Sequence, residues 1–213
     1  MSACNRTVHI IVWGFLGLVI LAVGGLYFKT SWCQMTLPPE RLRPYSAVHD
    51  FTLTNQLGQA MHLADLKGKV WVADIIFTQC GGPCPKMTAR LSPLQALWKD
   101  KPEVQLVTLT TNPEYDTPAI MKKFAEHFGA DPAKWLFLTG TKQQIVALAV
   151  EGLKLAAVEK APADRESEND LFIHTTVSVL VDKLGRVRGS FETLEPDFEE
   201  TINAAVNQIL REN

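Results

Sequence analysis

Val70-Trp71-Val72-Ala73-Asp74-Ile75-Ile76-Phe77-Thr78-Gln79-Cys80-Gly81-Gly82-Pro83-Cys84-Pro85 is the stretch on which the fold turns. A near-continuous apolar run such as Val70 to Phe77 reads as a strand covered on both faces. The glycines and prolines after it predict a turn into a helix, which puts Cys80 and Cys84 at a helix N-terminus. Unpaired backbone N–H groups there carry partial positive charge, which favours a thiolate, the form that attacks disulfides and binds metals. The two cysteines are separated by three residues rather than two. The extra residue widens the bite and leaves room for an ion between the sulfurs. Asp74 is an acid inside the apolar strand. It has two readings of equal weight: a buried carboxyl of raised pKa that relays protons to Cys80 or Cys84, and a hydrogen-bonded structural acid.

Working outward, Val48 to Leu53 and Met61 to Leu63 flank Asn55-Gln56-Leu57-Gly58-Gln59 as a short hairpin leading into the buried strand. Beyond the cysteines, Met87, Leu91, Leu94 and Trp98 recur at helical spacing, with Pro93 predicted to kink or divide that helix. Val104 to Thr110 alternates as a strand. Thr117-Pro118 starts a helix with Ile120, Phe124 and Phe128 on one face and Gly129 at its end. Trp135 to Leu138 reads as a strand, and Thr141 with Gln144 as a capping box ahead of Ile145, Leu148 and Ala149. Residues 159–170 are charged and predict a solvated loop. Thr175 to Val181 and Val187 to Phe191 then form a hairpin around Lys183-Leu184-Gly185-Arg186, and Phe198, Ile202, Ala205 and Ile209 lie on one face of a last helix. Strands alternating with helices, then a hairpin and a terminal helix, predict an α/β chain of thioredoxin-like fold: a central mixed sheet flanked by helices.

The 213 residues, 46% apolar, suffice for one domain and an appendage. Basic and acidic side chains number 21 and 23 with no basic block, so no nucleic-acid surface is expected. Residues 8–28 (VHIIVWGFLGLVILAVGGLYF) are long and apolar enough to cross a hydrocarbon core of roughly 30 Å as one helix. The expected organisation is a tail at 1–7, a transmembrane anchor at 8–28, a proline-bearing linker at 29–46 and the thioredoxin-like domain at 47–213. A cleaved signal peptide is the competing reading, since Ala22-Val23-Gly24 offers small residues, but the apolar run continues past them. Arg6 before the span against Lys29, Arg41 and Arg43 after it opposes export of the domain by charge count alone. The thiol chemistry argues for an extracytoplasmic, periplasm-like location. An anchor would place Cys4 and Cys33 on opposite sides of the membrane, so neither partners the pair.

His9, His49, His62 and His127 read as structural or solvated. His174 differs, falling between the charged loop and a core strand, where strand ends of this fold gather near the cysteine turn. No proline occurs between Pro162 and Pro196, whereas thioredoxin-type oxidoreductases carry one just before the corresponding strand. Ile173-His174-Thr175-Thr176 takes that place. Two sulfurs and an imidazole suit Cu(I), or Cu(II) with an added weak ligand, and zinc accepts the same donors. Thiol-disulfide exchange needs only Cys80 and Cys84. Lys86 reads as a solvated neighbour of Cys84, able to add charge if it folds back.

Several motifs in order resemble the Sco/SenC family of membrane-anchored, thioredoxin-like copper proteins that help assemble cytochrome c oxidase. These are Phe77-Thr78-x-Cys80-x3-Cys84-Pro85, Asn112-Pro113-Glu114-Tyr115-Asp116-Thr117-Pro118, Phe128-Gly129-Ala130 with Trp135-x-Phe137-Leu138-Thr139-Gly140, and His174 ahead of Val181-Asp182. The resemblance spans about residues 47 to 210 and implies Cys80, Cys84 and His174 as copper ligands. It further implies the copper-bearing subunit of cytochrome c oxidase, or another copper acceptor, as partner, and a thiol reductant as a second one. The expected function is a metallochaperone holding one copper ion; a thiol-disulfide oxidoreductase using Cys80 and Cys84 is the alternative. The chain departs from the family at Gln79, Gly81, Asn112 and Ile173, and at Ile173 a carboxylate that would orient the histidine is missing.

Overall fold

The structure is a computed structural model that describes residues 13–21, 23, 42–155, 158–159, 172–173 and 175–212. Residues 1–41 and 42–213 form separate units. In the first, residues 13–21 are helical (α1). Among the described residues no helix is long and apolar enough to cross a membrane. Much of the 8–28 span, together with Cys4, His9 and Cys33, lies outside them.

In the second unit an eight-stranded mixed sheet carries the fold. In chain order its strands are β1 (Ser46–Ala47), β2 (Thr52–Asn55), β3 (Ala60–His62), β4 (Val70–Ile76), β5 (Val104–Thr110), β6 (Trp135–Thr139), β9 (Val177–Val181) and β10 (Arg186–Glu192). They lie side by side as β1-β10-β9-β4-β5-β6-β2-β3, while β7 (Val158–Glu159) and β8 (Phe172–Ile173) pair separately. The helices are α2 (Leu63–Leu66), α3 (Pro83–Leu97), α4 (Pro118–His127), α5 (Lys142–Val146) and α6 (Phe198–Arg211).

Every residue of β4, β5 and β6 is buried. Alternate side chains therefore fill two cores. Trp71, Ala73 and Ile75 pack with Leu53, Leu66, Val107 and Leu148 on one face, and Val70 and Val72 with Leu91, Leu94, Met121, Ile202 and Val206 on the other. Because both faces of β5 are covered, its alternation of threonine and apolar residues does not mark a solvent face. Thr108 and Thr110 are fully buried and carry hydrogen bonds instead.

Strands β4 and β5 are parallel, with Ile76 opposite Thr110, so the segments leaving them emerge from one edge of the sheet. Strand β9 runs antiparallel to β4, Ala73 opposite Val179, so the chain enters β9 from that same edge through Thr175 and Thr176. Functional groups gather at such strand ends because the intervening turns are free of the ladder.

Two expectations are corrected. Pro93 does not divide its helix; α3 runs continuously from Pro83 to Leu97, with Leu91 and Leu94 buried on either side of the proline. Tertiary packing there outweighs the local penalty. The helix after Thr141 is regular only to Val146, although its capping box forms as expected, and continues as a π-helical turn over Ala147–Gly152. The Gly152 carbonyl accepts from Ser46 Oγ at 2.9 Å, outside the helix.

Residues 42–46, read from sequence as linker, are fastened to the sheet. Tyr45 N–H donates to the Val187 carbonyl at 3.1 Å, and Arg188 Nε to the Leu42 carbonyl at 2.6 Å. The Arg188 side chain, 5% exposed, also meets Asp182 at 3.0 Å and Glu212 at 2.5 Å. Burial pushes the Asp182 carboxyl up, but hydrogen bonds from Arg186, Arg188 and the Leu184 backbone hold it below the usual range. Removing one partner of a buried ion pair strands the other. Arg188→Ala is therefore expected to lower stability by about 3 kcal/mol in urea unfolding, with Arg188→Lys recovering little, since an ammonium cannot reach three acceptors in that planar arrangement.

Candidate metal centre

Strand β4 ends in a tight turn, closed by Cys80 N–H donating to the Phe77 carbonyl at 3.1 Å. Gly82 is the N-cap of α3 and Pro83 its first residue, a position where proline's missing N–H costs nothing. Cys80 and Cys84 are both buried and both free thiols. Together with Ile76 and Phe77 they form a small apolar cluster against Phe124, separate from the two large cores. Gly82 N–H points at Cys80 Sγ from 3.4 Å, and the two thiols are hydrogen-bonded to each other.

That mutual bond is the first reason the Cys84 thiol sits above its usual range. Burial is the second, and the charges of Cys80 and Asp74 add to it, against a smaller opposing effect of the Phe77 backbone. The helix N-terminus thus does not leave Cys84 as a thiolate in the metal-free pair, contrary to the expectation from position alone. In the metal-free pair the Cys84 thiol keeps its proton, and a thiophilic ion must displace it to bind.

Beneath the pair lies Asp74, 1% exposed. Its Oδ1 accepts from Thr108 Oγ1 at 2.6 Å, and Thr108 Oγ1 in turn accepts from Trp135 Nε1 at 2.8 Å. The indole N–H can only donate, and Thr108 Oγ1, which accepts it, donates its own proton to Asp74. Oδ1 is therefore an acceptor, and a neutral Asp74 carries its proton on Oδ2, which has no partner among the described residues. Burial raises this carboxyl to about 7, against the pull of Thr108. The structural reading of Asp74 holds through Oδ1, and burial raises its carboxyl as the other reading expected.

Asp116, within one of the resembling motifs yet given no role from sequence, is fully buried beside the cysteine turn. Thr78 donates to it through both its backbone N–H, at 3.1 Å, and its hydroxyl, and Thr110 Oγ1 donates at 2.5 Å. Burial raises this carboxyl too, offset by those hydrogen bonds. Its partners lie 38 and 6 residues away, so spacing gives little sign of it. The only signal was an acid set among threonines where strand and helix meet.

The remaining candidates are placed as follows. His49, His62 and His127 are exposed; His62 Nδ1 lies 3.2 Å from Thr52 Oγ1, and His127 meets the Phe128 ring edge-on. Lys86 is exposed, Gln79 half-buried, and Gly81 and Gly82 exposed. His174 lies outside the described residues, and among those described no three His, Cys, Asp or Glu side chains form a metal-binding group. Two neighbouring soft sulfurs with displaceable protons fit a d10 thiophilic ion such as Cu(I), and equally fit thiol exchange.

A mixed sheet flanked by helices, with paired thiols where a buried strand turns into a helix, defines a thioredoxin-like dithiol domain. The SCO1/SenC family model matches residues 40–211, and the chain belongs to that family. It is 38% identical to the SCO1 protein homolog of Bacillus subtilis over 150 residues, 70% of this chain and 75% of that protein. Among solved structures it is similar to BsSco, a member of the Sco family of cytochrome c oxidase assembly proteins in which a disulfide switch was identified. That likeness has a TM-score of 0.66 at 32% identity and covers 80% of this chain and 97% of the other. It is also similar to Bradyrhizobium japonicum ScoI with copper bound, with a TM-score of 0.62 at 26% identity over 77% of this chain and 99% of that one.

Proposed function

We propose that this chain is a copper chaperone, anchored through residues 8–28 with its domain outside the cytoplasm, that carries one copper ion to the copper centre of cytochrome c oxidase. The observation that carries this reading is the pair of buried, mutually hydrogen-bonded free thiols at the mouth of α3. The copper-bound ScoI and the oxidase-assembly protein BsSco, both similar to this chain, supply the metal and the pathway. Cys80 and Cys84 provide the sulfur ligands and His174 the third donor. Strand β9, which follows His174, begins at the edge where the cysteine turn emerges, and that arrangement supports this role.

Loading requires the Cys84 thiol to lose its proton, so uptake strengthens as pH rises. Transfer proceeds by ligand exchange, acceptor thiolates replacing Cys80 and Cys84 one at a time. The chain's own part is to hold the two sulfurs adjacent, to exclude water through Phe77 and Phe124, and to leave one side of the turn clear at Gly81 and Gly82.

Anaerobic Cu(I) titration of the reduced chain, with free thiols counted at each step, tests the assignment. Wild type is expected to bind one copper per chain, and His174→Ala to bind it at least tenfold more weakly, a difference of about 1.4 kcal/mol, with unchanged thermal unfolding. Equal affinity in the two would remove His174 from the site. Thiol-disulfide exchange is the second reading, favoured by the hydrogen bond between the thiols. Turnover of a disulfide substrate that survives His174→Ala, without copper binding in either protein, would replace the first reading by the second.

A further inference from the structure

A carboxylate buried without a cation is costly, and an apolar residue of similar size would often be cheaper. Asp116 is fully buried, and its hydrogen-bond donors among the described residues are uncharged: Thr78 N–H, Thr78 Oγ1 and Thr110 Oγ1. Thr110 Oγ1 also accepts from Asn112 N–H at 2.9 Å while donating its own proton to Asp116. Asp116 N–H donates back to the Asn112 carbonyl at 2.8 Å, and Thr111 N–H to the Ile76 carbonyl at 2.8 Å. The result is a closed set of hydrogen bonds joining two chain segments. One is the turn that leaves β4 and presents Cys80; the other is the loop 111–117 that leaves β5.

We propose that Asp116 is the positioning residue for Cys80: by holding Thr78 through two hydrogen bonds it fixes the turn and hence the separation of the two sulfurs. Thr78 is two residues from Cys80, in the turn that the Cys80 N–H closes on the Phe77 carbonyl at 3.1 Å. Without Asp116 the turn keeps its covalent path but loses the anchor that sets its height over β5. The sulfur pair then samples a wider range of separations, and a ligand set tuned by outer partners loses affinity when those partners go, typically about 10–100-fold. This inference rests on the proposed copper site for one of its two readouts only.

The test uses the intact 213-residue chain in detergent. Two quantities are measured beside thermal stability: Cu(I) affinity by competition with a chromophoric chelator, and the equilibrium of the Cys80–Cys84 pair with a glutathione redox buffer. Thr78→Val, which keeps the backbone N–H and deletes the hydroxyl, and Asp116→Ala are each expected to weaken Cu(I) binding by about tenfold and to shift the dithiol–disulfide equilibrium constant by about fivefold or more. The double variant should be little worse than either single one, because both remove the same link. Asp116→Asn is expected to stay within about threefold of wild type. Its amide oxygen can accept from Thr78 N–H and Thr110, while its amide nitrogen donates to Thr78 Oγ1. Thr78→Ser should likewise rescue. If Asp116→Ala fails to fold, Thr78→Val and Thr78→Ser decide the matter. Lower stability with unchanged copper affinity and unchanged redox equilibrium would make Asp116 merely structural and overturn the proposal. If wild type binds no Cu(I), the chaperone reading fails by itself, and the redox equilibrium alone decides on Asp116.

Discussion

Cys84→Ser is expected to cost the chain its copper, with a larger loss of Cu(I) affinity than the roughly 10–100-fold that removal of an outer-shell partner causes. The reason lies in the donor. Serine preserves size and its place as the second residue of α3, but its hydroxyl is a hard, fully protonated group at neutral pH and no substitute for a thiolate toward a soft ion. The fold should be indifferent to the change, since Cys84 packs in the small cluster with Ile76 and Phe77 and not in either large core. Cys80→Ser should behave alike. Competition titration under reducing, anaerobic conditions measures the effect, with thermal unfolding as the control. One copper per chain held by Cys84→Ser at an affinity within tenfold of wild type would contradict the proposed site.

The second large effect concerns pH. Asp74 in the folded chain titrates at about 7, raised from an ordinary 3.8 by burial. Between those two values the folded protein keeps a proton that the unfolded chain has released. Stability therefore falls as pH rises through that window, is full below it and levels off above it. The gap between those values corresponds to at most about 4 kcal/mol. Asp74→Asn removes the loss: the amide oxygen still accepts from Thr108, and the amide nitrogen takes the place of the protonated Oδ2. The variant should be more stable than wild type at pH 8, nearly equal to it at pH 4, and fall less steeply across the interval in urea unfolding of the metal-free chain, where the raised Asp116 carboxyl remains. A wild-type profile that rises from pH 4 to 8 and is unaffected by Asp74→Asn would refute this account.

Much of this was legible in the sequence because each feature had a local cause. The apolar run from Val70 to Phe77, the Thr117-Pro118 helix start and the Thr141 capping box are signalled within a few residues, and each stands where it was expected. The cysteine pair was visible for the same reason. What escaped depends on distant neighbours. Pro93 sits in an unbroken helix because of what packs on either side of it. Arg188 has no local signal of its role, since Leu42 and Glu212, which close around it with Asp182, are distant or terminal. Asp116 belongs to a motif quoted from the sequence, but its partner Thr78 lies 38 residues away, and only the parallel register of β4 and β5 brings the two together. The thiolate expectation failed at Cys84 because helix position was weighed without the second sulfur, whose hydrogen bond acts in the opposite direction.

The cysteine turn packs in a cluster of its own, held to the sheet by a few polar links, while the sheet is secured by cores that do not include it. Stability and chemistry are therefore written in different residues. Substitutions at Gln79, Gly81 or Gly82 can alter what the sulfurs bind or how readily they let go without endangering the fold. Such a corner is where one ancestral scaffold could diverge toward metal carriage or toward thiol exchange by small steps, each intermediate remaining a folded protein on which selection could act.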